Sequence, residues 1–133
     1  MSSSEEALVL KDRYMRFLDE ARSARSKGYY DLACFLAEQA LQLYLKYALL
    51  VFIGDYPRTH SVRRLLGEIA RVSGSMKLEE FIKSNRVRIL ALEDSYLLAR
   101  YFVKDYTAED ADDMIKLVEE AVNVINTLLR GES

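Results

Sequence analysis

Turn-forming residues and cysteine are scarce in this 133-residue sequence, which has one proline, five glycines and one cysteine. These are too few turn positions for a β-sandwich or β-barrel, and the long stretches between them favour helices. A single cysteine excludes an intramolecular disulfide. Because Cys34 lies in an apolar run, we expect it to be a small buried residue rather than a nucleophile.

The sequence also lacks a strong charge imbalance. Nineteen Lys and Arg against 21 Asp and Glu give a formal charge of −2, so any nucleic-acid-binding surface would have to be a local patch. The first ten residues do not have the pattern of a signal peptide. The most apolar stretch, residues 40–53, is too short and too mixed to span a membrane. We therefore expect a cytoplasmic protein with no membrane partner.

The remaining composition is that of a globular protein, with 50% hydrophobic and 30% charged residues. Residues 1–133 are expected to form a single domain. Apolar residues recur at helical spacing in five segments, near residues 5–27, 30–52, 61–72, 78–103 and 108–130. A kink is expected near Ser84 and Asn85. The second segment is apolar on two faces, which predicts a central helix with several neighbours.

Short connections between these segments make successive helices antiparallel neighbours. Thr59 or Ser61 can cap the third helix, and Thr107 with Asp110 forms a variant of the capping box before the last. The predicted fold is all-α, an up-and-down bundle of four long helices plus one short helix.

Sequence signatures of common catalytic sites are absent. There is no glycine-rich phosphate loop, no nucleophile elbow and no pair of Cys or His at metal spacing, so no metal or cofactor is expected. Polar residues at positions of predicted burial are the remaining candidates. Asp94 interrupts the apolar stripe of the fourth segment, and Gln39 and Lys46 share a face with Leu43. These side chains either satisfy one another inside the bundle or at a dimer seam, or they line a polar pocket.

Two further groups could bind an anion. Tyr96 and Arg100 are four residues apart on one helix, which indicates either a solvated face or an anion-binding or partner-binding surface. His60 begins the short helix beside Arg58, Arg63 and Arg64, in the most basic stretch of the chain. That stretch is the candidate surface for nucleic-acid contact.

Four segments together resemble the HEPN domain family, in the expected order and spacing. Residues 30–46 (YDLACFLAEQALQLYLK) resemble the second helix of that family. Residues 57–66 (PRTHSVRRLL) are similar to its "P-x-T-H-x-x-x-x-L-L" segment, and residues 92–102 (LEDSYLLARYF) to its "L-x-x-x-Y-x-x-x-R-Y-P" segment. Residues 108–111 resemble the start of its last long helix.

The resemblance implies a prokaryotic, cytoplasmic helical bundle that commonly forms homodimers. It also implies a gene often paired with a minimal nucleotidyltransferase in a toxin–antitoxin-like system. Many members are ribonucleases whose motif is an Arg followed, after four to six residues, by a His. Arg100 matches that Arg, but Asp105 and Tyr106 occupy the region of the His and a following Tyr. An Asp is a poor substitute for a neutral-pH acid or base.

The resulting hypothesis is a non-catalytic module that binds a nucleotide or a partner and acts with a minimal nucleotidyltransferase. One alternative is a ribonuclease that uses Arg100 with His60 or Asp105 as a displaced base. Another is a helical oligomerisation module without a ligand. A homodimer is expected, and RNA is a further possible ligand. The predicted binding residues are Tyr96, Arg100, Tyr101, Asp94, Gln39, Lys46 and His60.

Overall fold

Six helices make up the described part of the chain, which in this computed structural model comprises residues 2–101 and 104–131, without the side chain of Arg100. No strand occurs in these residues. The all-helical fold class predicted from the sequence is confirmed. The helices are α1 (Ser3–Ser26), α2 (Tyr30–Ile53), α3 (Val62–Ser73), α4 (Met76–Ser84), α5 (Arg86–Tyr101) and α6 (Ala108–Leu129).

The predicted fourth helix is in fact two helices, α4 and α5, which raises the count from five to six. They separate at Asn85, whose backbone leaves the helical region at φ −112° and ψ 20°. The side-chain amide of Asn85 donates to the carbonyl of Phe81 at 2.9 Å. The Phe81 carbonyl, near the end of α4, thus bonds to a side chain beyond the helix. Because α4 ends at this point, the predicted kink is a complete break between two helices.

The helix ends follow the capping residues in the sequence. Gly54 ends α2 in the left-handed conformation at φ 76°, where a residue without a Cβ is favoured. Ser61, and not Thr59, caps α3 through its hydroxyl. The predicted capping box of α6 is present, because Thr107 and Asp110 exchange side-chain to backbone bonds of 2.9 and 3.1 Å.

The second helix is the centre of the bundle, as its two apolar faces predicted. It contacts α1, α3, α5 and α6. Its fully buried side chains include Ala33, Ala37, Leu41, Leu45 and Leu49. Among the described residues, α2 is also the helix long and apolar enough to cross a membrane, and 56% of its most apolar window is buried inside the bundle. Such burial is what a core helix shows.

The four long helices alternate in direction. The short connection between α1 and α2 makes those helices antiparallel neighbours. Arg25, near the end of α1, pairs with Asp112 near the start of α6 at 2.6 Å. Ser95, in the second half of α5, donates to the carbonyl of Cys34 near the start of α2 at 3.2 Å. Thus α1, α2, α5 and α6 form the predicted up-and-down arrangement, and α3 and α4 lie in the connection between α2 and α5.

The inner face of α1 differs from the side that Leu8, Met15, Leu18, Arg22 and Arg25 mark in the sequence. Leu18 is buried, but Leu8 and Met15 are 68% and 58% exposed. Small residues form much of the face of α1 that contacts α2. Because alanine has a short side chain, the two helices can lie close together. The buried residues of α1 are Ala7, Leu10, Leu18, Ala21 and Ala24. The charged residues Arg22 and Arg25 instead form ion pairs with α6.

The thiol of Cys34 is buried, as predicted, and burial raises its pKa to about 12. Because the thiolate is the reactive form, we expect the native protein at pH 8 to be inert to a thiol-modifying disulfide reagent. Unfolding in guanidinium chloride should release one reactive thiol per chain. Rapid stoichiometric labelling of the native protein would contradict this burial.

Candidate functional site between α3 and α5

A groove of about 470 Å³ opens between the start of α3 and the second half of α5. It brings together residues from two segments that are about thirty positions apart in the sequence, 57–66 and 92–102. The residues that line this α3–α5 groove are His60, Ser61, Glu93, Asp94, Tyr96, Leu97 and Leu98.

Two stacked aromatic rings form one wall of the groove. The ring centroids of His60 and Tyr96 are 5.4 Å apart, with 18° between the ring planes. Phe35 of α2 lies behind Tyr96, at a centroid distance of 6.5 Å. His60 is exposed and Tyr96 is half-buried. Such a wall offers aromatic surface on which a planar group such as a nucleobase can stack.

The carboxylate of Glu93 fixes this geometry. One oxygen accepts from the Ser61 hydroxyl at 2.9 Å and from the backbone N–H of Arg63 at 3.1 Å. The other accepts from Nε of Arg63 at 3.2 Å. The negative charge thus lies at the N-terminus of α3, where the helix dipole favours it. Glu93 therefore joins α3 to α5 and holds His60 beside Tyr96.

The prediction that Asp94 is buried is wrong. Asp94 is exposed on the groove, whereas its neighbour Ser95 is fully buried. Successive helical residues point about 100° apart, and Ser95 takes the inward position. Its hydroxyl lies 2.6 Å from the carbonyl of Leu92 and 3.2 Å from that of Cys34. The carboxylate of Asp94 is therefore placed to accept hydrogen bonds from a ligand.

Among the described residues the buried carboxylate is that of Glu38, which was not one of the residues predicted from the sequence. Its side chain is fully buried and accepts from the amides of Gln39 at 2.8 Å and Gln42 at 2.6 Å. Lys46 lies two turns further along α2, with its ammonium 5.6 Å from the ring centroid of Tyr56. Burial lowers the pKa of Lys46, and Glu38 opposes that shift. Neither Gln39 nor Lys46 lines the groove.

The remaining predicted residues lie at and beyond the end of α5. The side chain of Arg100 lies outside the described residues, but its backbone is helical and places it one turn after Tyr96. Tyr101 is 65% exposed at the last position of α5. Asp105 is exposed in the connection to α6. No group of three or more His, Cys, Asp or Glu suited to a metal occurs among the described residues.

The hydroxyl of Tyr106 is buried and has no hydrogen-bond partner among the described residues. Burial raises the pKa of Tyr106 to about 12, and the nearby Cys34 adds to the shift. The ammonium of Lys104 lies 4.7 Å from the centroid of its ring. Tyr106 therefore serves as a core residue rather than as part of the groove.

Removing that hydroxyl should stabilise the protein. An unsatisfied buried donor carries a desolvation cost of about 1–3 kcal/mol, so we expect Tyr106→Phe to raise the free energy of unfolding by about 1 kcal/mol, measured in urea. Tyr56→Phe is the control, because the Tyr56 hydroxyl donates to a carboxylate oxygen of Glu6 at 2.8 Å. That control should lose stability. A loss of stability in Tyr106→Phe would show that its hydroxyl has a partner.

The family comparison agrees with the fold. The model of the HEPN domain family matches residues 8–128, and the chain therefore belongs to the HEPN family. It is similar to the crystal structure of ST0689, an archaeal HEPN homologue, with 28% identity and a TM-score of 0.67. The alignment covers 92% of this chain and 97% of that one.

A second solved structure, TT1696 from Thermus thermophilus, has a TM-score of 0.77 at 22% identity. The alignment covers 92% of this chain and 97% of that one, and at this identity it supports the fold alone. No curated protein sequence matches the chain.

Proposed function

We propose that this HEPN protein is a non-catalytic module that binds a nucleotide in the α3–α5 groove. The observation that carries the proposal is the stacked pair of His60 and Tyr96 beside an exposed carboxylate, Asp94. Aromatic stacking of a base is worth about 1–3 kcal/mol and tolerates any base. The carboxylate adds an acceptor for the N–H groups on a base edge.

Arg100 completes the proposed site. Its position one turn beyond Tyr96 suits an interaction with a phosphate attached to the stacked base, because the guanidinium binds phosphate through two parallel hydrogen bonds. The N-terminus of α3 is not available for that phosphate, since Glu93 already accepts from its backbone N–H group. In this proposal the base lies against α3 and the phosphate lies toward the end of α5.

The lack of a histidine after Arg100 supports a non-catalytic role. The family's ribonuclease motif places its acid–base residue in that window, where this chain has Asp105. Asp105 is exposed, and an aspartate is a poor substitute for a histidine as the acid–base residue.

A protein partner is also part of the proposal. Leu97 and Tyr101 are 50% and 65% exposed on α5, beside the groove, and exposed apolar side chains next to a site support an interface. The proposed partners are a second copy of the chain and a minimal nucleotidyltransferase. The chain and that enzyme would act in the cytoplasm as a toxin–antitoxin-like pair. Recovery of that enzyme with the tagged chain from its native host would support this part, and recovery of the dimer alone would contradict it.

A thermal-shift series with the four ribonucleoside monophosphates tests nucleotide binding. A ligand at one hundred times its Kd stabilises the native state by roughly 2.7 kcal/mol, so at least one should raise the Tm by several degrees. His60→Ala should lose the shift, and Lys77→Ala, an exposed change on α4, should keep it. No shift with any nucleotide would favour an oligomerisation module without a ligand.

One observation favours the ribonuclease as a second candidate. The single histidine of the chain, His60, stacks on Tyr96, one helical turn before the position of Arg100. His60 and Arg100 would then form an acid–base pair displaced from the family's usual motif. Purified protein should leave RNA intact under the non-catalytic proposal. Cleavage that is lost in both Arg100→Ala and His60→Ala would establish the ribonuclease instead.

A further inference from the structure

A second cleft, which shares no lining residue with the α3–α5 groove, opens between α1 and α6. At one end two ion pairs hold these helices together: Arg25 with Asp112 at 2.6 Å, and Arg22 with Glu119 at 2.7 Å. Toward the start of α1, no further ion pair joins the two helices in the described part of the chain. The cleft there has a volume of about 590 Å³, which is in the range of small-molecule sites.

Three polar groups from three helices meet at this α1–α6 cleft. Tyr44 of α2 is 2% exposed, and its hydroxyl donates to the amide oxygen of Asn126 at 3.4 Å. That distance is long for an O–H···O bond. The amide nitrogen of Asn126 and the hydroxyl of Tyr14 make no hydrogen bond to other described residues, and the Tyr14 ring packs edge-on against Tyr44 at 4.9 Å. Most of the hydrogen-bonding capacity of these groups is therefore open to a ligand.

The rest of the cleft favours a neutral ligand with an apolar body. Apolar side chains line its sides, namely Met15, Leu18 and Val122. At the rim, Arg16 is paired with Asp12 at 3.1 Å and Arg22 with Glu119 at 2.7 Å, and Lys11 and Asp19 carry opposite charges. Since these charges balance, the rim gives no preference to an anion or a cation.

We propose that the α1–α6 cleft binds a small, neutral, planar molecule that carries an amide-type edge, with an N–H donor beside a carbonyl acceptor. The Asn126 amide has the complementary donor and acceptor side by side. The hydroxyls of Tyr44 and Tyr14 supply further partners. The ring of the ligand lies between Met15 and Val122, where its burial adds hydrophobic free energy.

Benzamide is a suitable probe, because it is neutral and flat and has this edge. Titration of the ¹⁵N-labelled full chain should give saturable chemical-shift changes in α1 and α6, with a Kd on the order of 1 mM for so small a ligand. Tyr44→Phe and Asn126→Ala should each weaken binding roughly threefold to tenfold, the effect of one neutral hydrogen bond. Asn123→Ala is the matched control, because Asn123 lies on α6 and does not line the cleft.

Acetophenone, which has the same shape and no N–H donor, should bind more weakly than benzamide. Equal binding of the two compounds would overturn the amide-edge assignment. The site itself would be overturned by the absence of saturable shifts in α1 and α6, or by binding that both substitutions leave unchanged.

Discussion

Replacing Leu45 with alanine is expected to lower the free energy of unfolding by about 3–5 kcal/mol. Leu45 is fully buried in α2, the helix that contacts α1, α3, α5 and α6. Truncation there removes apolar contacts and leaves a cavity that surrounding helices cannot fill without moving. Urea unfolding followed by circular dichroism measures the change.

Val51→Ala is the matched control, since Val51 lies on the same helix and is 51% exposed. Its loss should stay below about 1 kcal/mol. Equal losses for the two variants would contradict the central position of α2.

Replacing Tyr96 with alanine is expected to weaken nucleotide binding about tenfold to hundredfold. The substitution removes the ring on which His60 stacks and exposes Phe35 behind it. Tyr96→Phe keeps the stacking surface and should retain most of the affinity. The measurement is a calorimetric titration of the full chain with AMP and with UMP.

Tyr29→Ala is the control, because Tyr29 is 55% exposed and does not line the groove. It should bind as the unaltered protein does. Binding that survives in Tyr96→Ala would place the nucleotide elsewhere on the bundle.

The architecture could largely be predicted because α2 and α6 have clear apolar periodicity. A helix that is apolar on two faces has to be surrounded, and α2 is. The face of α1 could not be predicted in this way, since its close contact with α2 depends on small residues such as Ala21 and Ala24. Alanine gives a weaker periodic signal than Leu8 or Met15, which proved to be exposed.

The candidate site could be predicted only in part. The spacing of Tyr96 and Arg100 placed both on one helix, but no local pattern shows that His60, thirty-six positions earlier, stacks on Tyr96. The prediction for Asp94 was wrong because the inward position of the helix belongs to the next residue, Ser95. A shift of one residue along a helix rotates the side chain by about 100°. The burial of Glu38 could have been predicted from the sequence. Glu38 and Gln42 are four residues apart in an apolar helix, and this spacing indicates a buried hydrogen bond between them.

The most direct test of nucleotide binding in the α3–α5 groove is an NMR titration of the ¹⁵N-labelled full chain with AMP and with UMP. Saturable shifts should be largest for the backbone amides of residues 60–61 and 93–98. The absence of saturable shifts with both nucleotides, or shifts centred on another surface, would contradict the proposal.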